Sequence, residues 1–178
     1  MKPYLIIVLA IIALLFGQAM ADLSLPDYMS DIVNNGIQQG GIEYSVPEVI
    51  RKSEYEKLVL LMTDSEREYL EGFYAPANSQ IKDYGRFLKR FPLLNSEPAY
   101  ILKNRSDQND ERLNSIWGKA IMAVYGIGTT GFEDMADIPE TMVRQSAAEY
   151  IKNEYKALGA DIGKMQSGYI LKTGLIML

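Results

Sequence analysis

At 178 residues the chain has room for about one domain, and 48% hydrophobic against 23% charged residues excludes both a disordered chain and a multi-span membrane protein. A net charge of -5 argues against a nucleic-acid partner, because phosphate backbones need a clustered basic surface. Cysteine and histidine are both absent, which removes disulfides, thiol nucleophiles, imidazole bases and ordinary zinc sites.

The apolar excess sits at the N-terminus. From Pro3 to Ala21 there is no charge, and Tyr4 to Phe16 reads YLIIVLAIIALLF, a membrane-directed segment. Its spacing fits two readings. Ala19-Met20-Ala21 has the small-x-small form of a signal-peptidase site, whereas continuing through GQAMADLSLP gives a span long enough to be retained, with Asp22 near the outer interface or against other helices. Lys2 favours an N-terminus inside under either.

The helix is expected to run from about Pro3 to Asn34, with Leu25, Met29, Ile32 and Val33 on one side and Asn34-Asn35-Gly36 as its stop. Val46 to Met62 reads as the next helix, capped by Ser45 with Pro47 in its first turn. Thr63-Asp64-Ser65-Glu66 offers a capping box ahead of EREYLEGFY. KDYGRFLKRF suits a turn or two of helix, and PAYILKN either a strand or a short helix. Asn109 to Tyr125 has Leu113, Ile116, Trp117, Ala120, Ile121 and Val124 at helical spacing, and Ile138 to Leu158 is a last long helix. The expected core includes Leu58, Leu61, Trp117, Ile121 and Tyr150. After it, GYILKTGLIML grows steadily more apolar.

Three local patterns are weighed for chemistry. Gly126-Ile-Gly128-Thr-Thr-Gly131 spells a dinucleotide fingerprint, but the preceding segment has helical spacing and the following acids would repel phosphate, so it reads as a loop. Asp107-Gln-Asn109-Asp-Glu111 resembles a calcium loop, yet the sixth position is Arg112 and no glutamate stands at the twelfth, so it reads as a turn with capping acids. Glu66, Glu68, Glu71, Glu149 and Glu154, beside Arg67, Lys152 and Lys156, read as charge pairs on exposed helix faces. No catalytic, cofactor-binding or metal-ligating residue is assigned, and a small soluble enzyme is the least favoured reading.

The segment ADLSLPDYMSDIVNNGIQQGGI resembles the end of the first transmembrane helix of ABC exporters of the fused permease and ATPase kind. The continuation VPEVIRKS is similar to the start of the large extracytoplasmic insert of certain Firmicute multidrug-type exporters, and SGYILKTGLIML to the opening of their second transmembrane helix. The resemblance implies a retained first helix over residues 1–34, an extracytoplasmic α-helical domain over 35–163 and the start of a second transmembrane helix over 164–178. It implies a mainly α fold in the cell membrane, with the lipid bilayer, the remaining transmembrane helices, the ATPase domain and a second, often heterodimeric, subunit as partners. ATP and magnesium belong to the intact family protein, whose phosphate-binding loop and signature motif map to no position here. The alternative is a secreted or membrane-anchored helical binding protein cleaved after Ala21. The resemblance also implies that the helix leaving the membrane through Leu25, Met29 and Val33 packs antiparallel on the returning helix at Tyr169, Leu171 and Ile176.

Overall fold

The structure, a computed structural model, describes residues 2–78, 80–81, 83–124 and 138–176. It is mainly α-helical. Helix α1 spans Lys2–Asp31 and passes without a break into a π-helical segment, Ile32–Gln38. The central part holds β1 (Val49–Arg51), α2 (Lys52–Leu60), α3 (Asp64–Glu71), β2 (Tyr74–Pro76), α4 (Tyr84–Arg90) and β3 (Ala99–Leu102). It continues through α5 (Glu111–Val124) and α6 (Glu140–Ala157) to α7 (Ile162–Ile176).

The predicted helix over Val46 to Met62 begins six residues late, because its first part is strand β1. The strand belongs to a three-stranded antiparallel sheet ordered β1-β3-β2, with Val49 opposite Ile101 and Tyr74 opposite Leu102. Alternation along a strand sends successive side chains to opposite faces. Val49, Ala99 and Ile101 enter one hydrophobic cluster with Phe91, Leu94, Ile151 and Leu158. Ile50, Leu102 and Tyr74 enter the other, around Leu58, Leu70, Leu113, Trp117 and Ile121. A sheet buried on both faces lacks the polar alternation of an exposed one, and this is why the helical reading of VPEVI overran it. Pro76 ends β2 on the sheet edge, where its missing N–H leaves no ladder bond open.

Ser45 is not a helix cap. Its backbone N–H donates to Asn114 Oδ1 at 2.8 Å, and the extended backbone after it is held by side chains from other elements. Gln108 Nε2 donates to the Val46 carbonyl, the Tyr74 hydroxyl to the Pro47 carbonyl, and the Glu48 N–H to the Tyr155 hydroxyl at 2.8 Å. Burial together with the nearby Glu48 carboxylate raises the Tyr155 phenol, so it remains protonated at physiological pH. The Thr63 box forms as the sequence predicts, with Glu66 Oε2 accepting from the Thr63 N–H at 2.9 Å.

Leu58, Trp117, Ile121 and Tyr150 are buried as expected, but Leu61 is not. It falls at the C-terminal cap of α2, beyond the last helical turn, and its side chain turns to solvent. Trp117 is fully buried beside Tyr55 and Tyr74, with ring centroids 6.0 and 5.5 Å away. Burial also pushes the Tyr55 phenol up to about 12. Helices α5 and α6 approach closely at Gly118, where a Cβ would lie 2.5 Å from Val143 Cγ1, so only glycine fits without a shift of that valine.

Candidate functional site

Helix α1 is 30 residues long, about 45 Å at the usual rise, against a hydrocarbon core of about 30 Å. Its aliphatic side chains lie open on every side: Ile6 is 72% exposed, Leu14 74% and Leu23 73%. A helix from the core of a soluble domain would be covered, and this one is not. Among the described residues it is the one helix long and apolar enough to cross a membrane, a test that an N-terminal signal sequence also passes. The helix continues through Ala19-Met20-Ala21 and past Pro26 as a single element, and the Ser24 hydroxyl bonds back to the Met20 carbonyl at 3.0 Å.

Asn34-Asn35-Gly36 does not stop it. The backbone widens into the π-helical turn, with Gln39 N–H donating to the Asn34 carbonyl at 3.0 Å, and the reversal comes at Gly40 and Gly41. Both glycines have positive φ, +67° and +84°, a backbone region that other residues enter at a cost. A Cβ at Gly41 would also sit 3.0 Å from the Met165 carbonyl oxygen. The turn therefore needs glycine for conformation and for space.

Beyond the turn α7 runs back antiparallel to the π-helical segment. Gly40 faces Ile162, Ile37 accepts a hydrogen bond from Gln166 at 3.3 Å, and Gly36 meets Ile170 and Tyr169. Asn35 Nδ2 donates to the Tyr169 hydroxyl at 3.3 Å. The antiparallel pair is as predicted, but its contact face is rotated. The contact runs through Asn35, Gly36 and Gly40, while Leu25, Met29, Val33, Leu171 and Ile176 remain exposed. Small and polar residues let two helical backbones approach, and the bulky aliphatic side chains are left on the outside.

The same geometry sets a disulfide test in a chain that has no cysteine of its own. A Cβ at Gly36 would lie 3.0 Å from Ile170 Cγ1, the place a cysteine sulfur would take, and a disulfide with an S–S bond of about 2.0 Å sets its far sulfur at about that distance from the Cβ. Gly36→Cys with Ile170→Cys should close under mild oxidation and become protected from a maleimide-polymer tag. Met29→Cys with Leu171→Cys should stay open to it. The reverse pattern would restore the face that the aliphatic spacing suggested.

Of the acids read as exposed helix charges, Glu149 does pair with Lys152, three residues on, and Arg67 pairs with Asp64. Glu154 corrects the reading. It is buried, and both of its oxygens accept from Arg51, Nε at 3.0 Å and Nη2 at 2.6 Å, tying α6 to the end of β1. This hydrogen bond holds the Arg51 guanidinium above its ordinary value, against the opposing effect of burial. The acids around 107–111 act as caps: Asp110 Oδ1 accepts from the Leu113 N–H at 2.7 Å, and its other oxygen from the Tyr69 hydroxyl. Among the described residues no group of three His, Cys, Asp or Glu is placed to hold a metal ion. The fingerprint-like Gly126–Gly131 stretch lies outside the described residues.

Comparison with known proteins adds no relative: no protein-family model, no curated protein and no solved structure matches the chain.

Proposed function

We propose that the chain is the front part of an ABC-type exporter subunit: the first transmembrane helix, an extracytoplasmic α-rich domain, and the start of the second transmembrane helix. The observation that carries the membrane part is the uncovered aliphatic surface of α1, on a helix that runs unbroken into the domain and meets an antiparallel partner there. Lipid is the solvent that such a surface matches. Leu171, Leu175 and Ile176 give α7 a similar uncovered end on the side from which α1 comes. The exporter assignment itself rests on the sequence resemblance from Pro26 to Ser53 and over the last twelve residues. On this reading the chain supplies no ATPase residue, and nucleotide and magnesium bind a module outside it. Multidrug or lipid-like cargo is the substrate class that the resemblance implies.

A cleaved, secreted or anchored binding protein is the second reading, favoured by Ala19-Met20-Ala21. Cleavage there would leave Asp22 to Gln38 as a helical arm. One experiment separates the two. An antibody against the central domain, applied to detergent-solubilised membranes of the source cell, should recover a polypeptide that retains Met1–Ala21 by peptide mass and carries magnesium-dependent ATPase activity. Glu68→Cys, at an exposed site on α3, should react with an impermeant maleimide added outside the cells. Loss of the first 21 residues would establish the second reading, and retention without any associated ATPase would overturn the exporter assignment.

A further inference from the structure

A groove of about 880 Å³ lies between α4, the turn at Arg105–Asn109 and the domain-proximal half of α7. Six cations line it, Arg86, Lys89 and Arg90 from α4, Arg105, and Lys164 and Lys172 from α7, against three carboxylates, Glu43, Glu48 and Asp161. In a chain of net charge -5 this is a local reversal of sign. Two of the carboxylates are already matched: Glu48 accepts from Arg90 Nη1 at 2.7 Å, and Asp161 pairs with Lys164 at 3.5 Å. Among the described residues Arg86, Lys89, Arg105 and Lys172 have no ion-pair partner, which leaves four such cations against one acid of the groove without an ion pair, Glu43, whose carboxylate is hydrogen-bonded by Tyr44.

Three features say what such a groove would hold. Its charges come from separate elements and surround a space, so they suit an anion with oxygens pointing several ways better than a planar carboxylate, and guanidinium groups are strong partners for phosphate oxygens. Arg86, Arg90 and Arg105 also line a smaller recess of about 340 Å³ beside the groove, together with Lys103 and the carboxylates of Glu48 and Asp83, so cations still outnumber acids at that end. The other wall, with Ile42, Pro92, Met165 and Tyr169, is apolar and runs along α7 toward Lys172. A volume of this size is ordinary for a small-molecule site.

We infer that this groove binds a phosphate-bearing ligand, its phosphate held by Arg86, Arg105 and Lys89 and its less polar part laid along Met165 and Tyr169. An anionic phospholipid headgroup and a soluble phosphate are the two sources of that chemistry. The inference goes beyond the exporter reading and does not rest on it, since it uses only the groove. Its test is run on the whole chain in an uncharged detergent, where failure of the membrane topology would leave the result unchanged.

Calorimetric titration of that sample with dihexanoyl phosphatidylglycerol should give saturable binding that weakens as salt rises, while dihexanoyl phosphatidylcholine gives none. Inorganic phosphate is the second arm: saturation by it alone identifies a soluble ligand, and saturation by the lipid alone a headgroup. Removing two charged donors, Arg86→Ala with Arg105→Ala, should weaken binding by about tenfold or more. Both side chains are exposed and make no ion pair, so the unfolding midpoint of the double variant should match that of the parent. Glu43→Gln, which removes the one acid lining the groove that has no ion pair, should tighten binding. Absence of saturable binding by either probe would overturn the site, as would binding that the double variant leaves unchanged.

Discussion

On the reading of α1 as a membrane span, arginine at Leu9 and Ile12, in the middle of its uncovered stretch, should move the 178-residue chain from the alkali-resistant membrane fraction into the carbonate extract. Leu9 is 58% exposed and Ile12 56%, so neither change disturbs packing within the protein, and the effect falls on the surroundings of the helix. A central arginine costs about 2.5–3.5 kcal/mol on insertion scales, where leucine and isoleucine contribute about 0.3–0.6 in favour, so the pair shifts insertion by about 7 kcal/mol. At about 1.4 kcal/mol per decade that is about five orders of magnitude in the partition constant. Leu9→Val with Ile12→Val is the control and should stay with the membrane. Sedimentation after carbonate treatment is the measurement, and an arginine variant still in the pellet, and shown to be unaggregated in detergent, would remove α1 as a membrane span.

The second large effect belongs to the core. Trp117→Ala should cost about 3–5 kcal/mol, as full truncation of a buried large aromatic does. That is a large share of the roughly 5–15 kcal/mol that stabilises a domain, and at about 2–4 °C per kcal/mol it lowers the midpoint by about 10 °C. The buried cluster that holds the ring draws residues from strands β1, β2 and β3 and from α2, α5 and α6, so no single neighbour can close over the gap. Trp117→Phe should cost much less. The buried indole Nε1–H faces the Tyr74 hydroxyl, which donates to the Pro47 carbonyl and keeps its oxygen lone pairs for the indole, so the phenylalanine loses some volume and one weak polar contact but keeps most of the aromatic packing. Near-ultraviolet dichroism of the tyrosines follows the transition in both variants, since the chain has 12 tyrosines and this single tryptophan. A loss below about 1 kcal/mol in the alanine variant would show that Trp117 does not anchor the core.

What the sequence makes legible here is what depends on local period and local chemistry. Leu113, Ile116, Trp117, Ala120 and Ile121 recur on one side of α5 and are buried in it, and Thr63 with Glu66 announces the start of α3 by a hydrogen-bonding exchange confined to four residues. Strand β1 is hidden because Val49 and Ile50 are buried to opposite sides and leave no polar alternation to read. Glu154 looks like a surface charge because its partner, Arg51, is more than a hundred positions away and no spacing rule connects them. The contact face of α1 is misjudged for a different reason. Hydrophobic spacing marks the side a helix hides from water, whereas this helix meets α7 through Asn35 and Gly36 and turns its leucines outward. The groove cations, scattered from Arg86 to Lys172, converge only once α4 and α7 are placed together.

The passage between helix pair and domain is short on both sides. Gly40 and Gly41 carry the chain from the π-helical segment to buried Ile42, and Gly159 to Asp161 carry it from α6 to α7, with Gly159 packed against Leu93 and Pro92. Neither strand of this passage has slack. A domain on loose tethers would swing independently of α1, but here both connections are only a few residues long, so on the proposed membrane reading a tilt of α1 would be passed on to the domain. The groove is walled by both α7 and α4, so it lies where the helix pair joins the domain.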